Sequence, residues 1–183
     1  MTAAASTLSH PLIPLGRRGV PLLHDAPAEH GKYQFQVVTG NVADAVRSIG
    51  GLIFDRAMAG WEVTVVVDGD TGSDDRPLRI LGARVANRGS QPQQKLSRPH
   101  LLAVGTDVMV KSDAVRRQVL TIADDDETEV LLWGRHHPTN LNRTCVAVRH
   151  QLSTAAHVFK AQALTAGGAP GMRRADEDLY SLA

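Results

Sequence analysis

Tyr33–Val67, YQFQVVTGNVADAVRSIGGLIFDRAMAGWEVTVVV, decides the fold. Its first seven residues are rich in β-branched and aromatic side chains and read as a strand. Asn41 then stands where a helix needs a side-chain oxygen to cap its first free N–H groups. Val42, Ala45, Val46, Ile49, Ile53 and Ala57 recur at steps of three and four, so they share one helical face. Gly50-Gly51 weakens the middle of that helix and lets a neighbour approach closely. Gly60 ends it, and Glu62–Val67 is a strand again.

Working outward, Leu78–Val85 reads as another strand, and Leu101–Val104 as a further one whose apolar run reaches towards Val110. Ser112 caps a helix with Val115, Val119 and Ile122 on one side. The acidic turn Asp124–Glu127 precedes a buried strand, Val130–Trp133. Pro138 introduces a long helix from about Thr139 to Leu164, as helices favour proline at their start. The expected fold is α/β: a single mixed sheet of about five strands with helices packed on it, in roughly βαβββαβα order. Ala86–Pro99 is the longest connection, and a loop of that length in a domain is functional or mobile.

The expected boundaries are an N-terminal proline-rich arm over residues 1–31, an α/β domain over 32–164 and a flexible tail over 165–183. Pro11, Pro14, Pro21 and Pro27 deny the arm a helix. The tail opens with the loosening run Ala166–Gly171. The chain has 183 residues, 43% of them hydrophobic and only 4% aromatic, so its core is built from Val, Leu, Ile and Ala. A formal net charge of +1 gives no global field that selects a nucleic acid or a membrane. Cys145 is the single cysteine, which excludes an internal disulfide and a cysteine-based zinc site. With no convincing signal peptide and no apolar run of the ~20 residues that span a bilayer, the expected location is cytoplasmic.

The sharpest local feature follows the second strand: Asp68-Gly69-Asp70-Thr71-Gly72-Ser73-Asp74-Asp75. Four carboxylates on a glycine-bearing loop suit a hard cation such as calcium or magnesium. The spacing resembles the calcium-binding motif of nucleoside hydrolases, with Asp68, Asp70, Asp74 and Asp75 in the ligand places. That resemblance covers eight residues and departs from the family at Thr71, where proline is expected. Asp70-Thr71-Gly72-Ser73 also looks like the aspartic-protease signature, but Gly69 stands where an apolar residue belongs. The Asp-x-Asp start of haloacid dehalogenases is similar too, with Thr71 one position early. None of the three identifies a family. The plainer reading is a β-hairpin tip, since Asp-Gly and Thr-Gly are turn pairs.

Charge is segregated along the chain. No acid occurs from Arg76 to Thr106, where Arg84, Arg88, Lys95 and Arg98 would supply an anion- or nucleic-acid-binding face. Stacking aromatics and a reading module are missing from it. The alternative is that these cations pair with acidic clusters across the fold. Leu141, Cys145, Val148, Leu152, Ala155 and Phe159 follow helical steps and form a stripe that packs on the sheet. His150 and His157 would share a helical face about 10 Å apart, too far for one metal. His136-His137-Pro138 follows a strand's carboxyl end, where α/β sheets place ligands. Gly105-Thr106-Asp107 is a second strand-end turn of that kind.

Phosphate-binding, dinucleotide-binding, nucleophile-elbow and zinc-protease motifs are all missing from the sequence. No complete catalytic constellation is legible. The resulting expectation leans away from an enzyme. It favours a non-catalytic binding, adaptor or regulatory protein that meets a protein partner or a second copy of itself, with no cofactor. The first alternative is a metal-assisted hydrolase using Asp68–Asp75, and the second a nucleic-acid binder.

Overall fold

Asn41 does cap the first helix: its Oδ1 accepts the Asp44 N–H at 3.2 Å. The computed structural model describes residues 32–68, 74–87, 99–124, 127–134, 141, 143–169 and 175–182. The chain runs β1 (Gln34–Thr39), α1 (Val42–Met58), β2 (Glu62–Val67), α2 (Arg76–Ile80), β3 (Arg84–Asn87) and β4 (Leu101–Gly105). It continues with α3 (Thr106–Lys111), α4 (Asp113–Ala123), β5 (Glu129–Trp133), β6 (Cys145–Gln151), α5 (Thr154–Ala166) and β7 (Asp176–Leu182).

The strands form one seven-stranded sheet in the order β3-β2-β1-β4-β5-β7-β6. The first five are mutually parallel, and β7 runs antiparallel between β5 and β6. The α/β class with one mixed sheet is as expected; the strand number is seven rather than about five. β4 is buried at every position, as a central parallel strand covered on both faces must be. On one face Phe35, Val37, Val63, Val65 and Ala103 pack against α1, α2 and α5. On the other, Val38, Leu102, Val104 and Leu132 pack against α3 and α4. Each fully buried Val or Leu contributes about 1.5–3 kcal/mol.

Helix α1 breaks at Ile49, whose φ of −135° and ψ of 17° leave the helical range. At the break Glu177 of β7 accepts N–H groups from Gly51 at 2.7 Å and Leu52 at 2.9 Å. Its Oε1 also takes the Lys160 ammonium at 2.6 Å. Gly51 is required here for close approach, because a Cβ on it would lie 2.3 Å from Leu152 Cγ.

Four expectations are corrected. Residues 78–85 are not one strand: Arg76–Ile80 is a short helix and β3 starts at Arg84, parallel to β2, so the acidic loop opens a crossover and not a hairpin. The apolar run after Val104 turns into α3 at Thr106. The long helix from Thr139 is a strand followed by a helix. Ser153 caps α5 by accepting the Ala156 N–H at 3.0 Å, so the helix cannot begin earlier. The flexible tail is also replaced: Asp176–Leu182 is a strand hydrogen-bonded on both sides. The arm over residues 1–31 lies outside the described residues. No helix among the described residues is long and apolar enough to cross a membrane.

Candidate functional site

Because β1, β2, β4 and β5 are parallel, their carboxyl ends share one edge. Thr39 stands opposite Val67, and Gly105 opposite Trp133, with Val38 and Val104 paired one step before. The next residues along this edge are Asp68, Gly40, Thr106 and Gly134. Strand order reverses between β1 and β4: β2 and β3 lie to one side, β5 to the other. Open α/β sheets bind ligands in the crevice at such a switch point, outside the strand ends.

Three local devices shape the edge. Thr39 is buried, and its hydroxyl accepts the Asn41 N–H at 3.2 Å while donating to the Asn41 carbonyl at 2.9 Å. This fixes the turn out of β1. Asp44, in the first turn of α1, accepts a hydrogen bond on Oδ2 from the Trp133 indole Nε1–H at 3.0 Å. Trp133 is 1% exposed, and a Cβ on Gly105 would meet its ring at 3.3 Å. Gly134 follows with φ of +135°, a region suited to glycine. A Cβ there would lie 2.2 Å from Thr106 Oγ1. Thr106 is 4% exposed, and its Oγ1 has no hydrogen-bond partner among the described residues. A buried hydroxyl left so costs about 1–3 kcal/mol, so it asks for a functional account.

A second polar group lies between the sheet and α1/α5. His150 is 1% exposed, with Nε2 at 2.9 Å from Asp55 Oδ2 and Nδ1 unpartnered among the described residues. Ser153 donates to Asp55 through Oγ at 2.5 Å and through its backbone N–H at 3.2 Å. Burial pushes the Asp55 carboxyl up, but the bonds from His150 and Ser153 outweigh it and hold the group below its ordinary value. The serine bonds the carboxylate and not the imidazole, so this is no nucleophile–base pair. It joins α1 to the β6–α5 turn. A separate cleft of about 550 Å³ between α2 and α5 is lined by Arg76, Ile80, His157, Val158, Ala161 and Gln162, without a carboxylate.

The residues singled out in the sequence fall as follows. Asp68 stands at the edge itself, its N–H bonded to the Thr39 carbonyl at 2.7 Å. Asp70 lies outside the described residues. Asp74 accepts the Arg76 N–H at 2.9 Å, and Asp75 pairs with Arg79 at 2.5 Å, so both serve the start of α2. Among the described residues no group of three or more His, Cys, Asp or Glu could hold a metal ion. Arg84 pairs with Glu62 at 2.5 Å; Arg88, Lys95 and Arg98 lie outside the described residues. Arg143 with Asp124, and Arg149 with Asp178, bring the segregated charges together across the fold. His136 and His137 lie outside the described residues. His150 and His157 do not share a helical face: one is in β6, the other in α5. Burial pushes the Cys145 thiol up, in keeping with a packing role. Asp44 and Trp133 were not candidates in the sequence, since an acid in a helix's first turn is expected from the helix dipole alone.

No family model matches the chain, and no curated protein matches it. Solved structures do. A deacetylase of the teicoplanin biosynthesis pathway matches with a TM-score of 0.57 and 12% identity, over 82% of this chain and 98% of that one. The chain shares the fold of these deacetylases. The A40926 pseudoaglycone deacetylase Dbv21 matches with a TM-score of 0.58 and 12% identity, over 83% of this chain and 98% of that one. GalB, the 4-carboxy-2-hydroxymuconate hydratase of Pseudomonas putida KT2440, matches with a TM-score of 0.53 and 14% identity, over 81% and 95%. A further match is a zinc-inhibited form of the teicoplanin deacetylase Orf2, at 12% identity over 82% and 98% and a TM-score of 0.57. These neighbours are enzymes, and that finding corrects the expectation of a non-catalytic adaptor working through protein–protein contacts.

Proposed function

We propose that the chain is a hydrolase that cleaves an acyl group from a small substrate at the carboxyl edge of its sheet. The observation that carries this reading is the pairing of Asp44 with Trp133 at the switch point, beside the buried, unpartnered Thr106 hydroxyl. Deacetylases and a hydratase, the named neighbours, share one chemical need: a water made nucleophilic. The Asp44 carboxylate suits that task, because it stands at the carboxyl edge with one oxygen, Oδ2, already anchored by the Trp133 indole. It accepts a proton as water adds to the acyl carbon. The tetrahedral adduct then collapses, the bond to the leaving amine or alcohol breaks, and the proton passes from Asp44 to that leaving group. The Thr106 hydroxyl is a donor for the oxygen on which charge develops.

A divalent cation is suggested by the zinc-inhibited neighbour and by the four aspartates of the acidic loop. The described residues do not fit one: Asp74 and Asp75 are engaged in α2, and no three ligands converge. No step is therefore routed through a metal. The finer expectation of a cytoplasmic setting rests on the single thiol, Cys145, and is checked by cell fractionation.

The test is acid release from a panel of N-acyl amines and acyl esters, with and without zinc, calcium or magnesium and with a chelator. Turnover that is lost in Asp44→Asn supports the reading. No turnover of any amide or ester under any condition overturns it.

A further inference from the structure

We infer that Trp133 is a positioning residue for the Asp44 carboxylate, an inference that rests on the hydrolase reading and names how its base is aimed. A carboxylate on a first helical turn can rotate about its last bond. One Asp44 oxygen, Oδ2, is fixed at 3.0 Å by the indole N–H. That bond fixes the plane of the carboxylate, and in the proposed reaction Oδ1 is then the oxygen that takes the proton from water. A hydrogen bond to a carboxylate is stronger than one between neutral groups and is directional.

The anchor is itself immobile. Trp133 is 1% exposed at the end of a buried strand, and its ring lies against Gly105, where a Cβ would come within 3.3 Å. Its backbone is held by the β4 ladder through the Gly105 register. The donor therefore comes from β5 and the acceptor from α1, on residues 89 apart in the sequence. The bond spans the switch point: it ties the helix that starts at β1 to the far side of the crevice. Tryptophan suits the role because its N–H only donates, so it cannot take the proton that Asp44 must carry. The large ring also reaches across where a serine or asparagine would not.

Trp133→Phe keeps an aromatic ring but removes the donor and part of the volume, whereas benzothienylalanine at position 133, with sulfur in place of N–H, removes the donor alone. The expected result is a 10- to 100-fold lower kcat, about the loss expected when a catalytic group is misplaced by a fraction of an ångström to one ångström, with KM within about two-fold. Packing damage alone would not lower kcat in the near-isosteric benzothienylalanine variant while leaving its KM and urea stability unchanged. The contact has its own signature: the Trp133 indole N–H proton resonance should move in Asp44→Asn while that of Trp61 stays. A kcat loss shared by Trp133→Phe and the benzothienylalanine variant is therefore due to the donor and not to the lost volume. A wild-type kcat in the donor-less variant, or an indole resonance indifferent to Asp44→Asn, overturns the positioning role and leaves the hydrolase reading standing. No turnover by the wild-type chain overturns both.

Discussion

Glu177 and Lys160 carry an asymmetric prediction. Glu177 is 3% exposed and Lys160 8%. The carboxylate holds three donors at once: the ammonium at 2.6 Å and the N–H groups of Gly51 and Leu52 at 2.7 and 2.9 Å. Removing one partner of a buried pair costs about 3–5 kcal/mol. Lys160→Met strips the cation but leaves the carboxylate its two backbone donors, so a loss near ~3 kcal/mol is expected. Glu177→Leu strands the ammonium and also orphans both N–H groups at the α1 break, each worth about 1–3 kcal/mol. Its loss should exceed ~5 kcal/mol. The double variant Lys160→Met/Glu177→Leu carries no buried charge and should be less damaged than the sum by at least ~2 kcal/mol. Urea unfolding of the four proteins reads these values. At about 2–4 °C per kcal/mol for a domain of this size, Lys160→Met should lower Tm by roughly 6–12 °C. Equal losses in the two single variants, or losses below ~1 kcal/mol, would refute the reasoning.

Other consequences follow from individual contacts. Asp55 has a lowered folded-state pKa, so its contribution is fully present above its ordinary value of 3.8 and is lost as pH falls through the lowered one. The stability difference between wild type and Asp55→Asn, measured by urea unfolding, should therefore shrink at the acid end of the range and stay flat above pH ~5. Gly51→Ala should cost about 1–3 kcal/mol by overpacking Leu152, and Leu152→Ala in the same chain should recover part of it. Because burial raises its pKa, Cys145 should react with a thiol reagent at mildly alkaline pH more slowly in the folded chain than in urea.

The parts of the fold legible in the sequence are those specified locally. β1, α1 with its Asn41 cap, β2 and α4 with its Ser112 cap each display a period and a start signal within a dozen residues. The C-terminal part was hidden because its logic is long-range. Asp176–Leu182 reads as an acidic tail until Glu177 finds Lys160 and the break in α1, and Asp178 finds Arg149. β6 passes for helix because Cys145, Val148 and Leu152 fall at helical steps, while in the sheet Cys145 and Val148 turn to opposite faces. The switch point itself needs the strand order, which no local pattern carries. Asp68 and Gly105-Thr106 each stood out separately in the sequence, and Trp133 only as the end of a buried strand, yet only the parallel register lines them up. Asp44 was invisible, as it lies in α1 and its partner at the end of a strand 89 residues away.

The most direct measurement is kcat for acyl release by wild type, Asp44→Asn and Asp75→Asn, all confirmed as folded. A general base contributes typically about 10²–10⁴-fold. Asp44→Asn should lose activity on that scale, while Asp75→Asn, which alters the pair with Arg79 at the start of α2, should stay within about two-fold of wild type. Retained activity in Asp44→Asn, or its loss in Asp75→Asn, would contradict the placement of catalysis at the switch point.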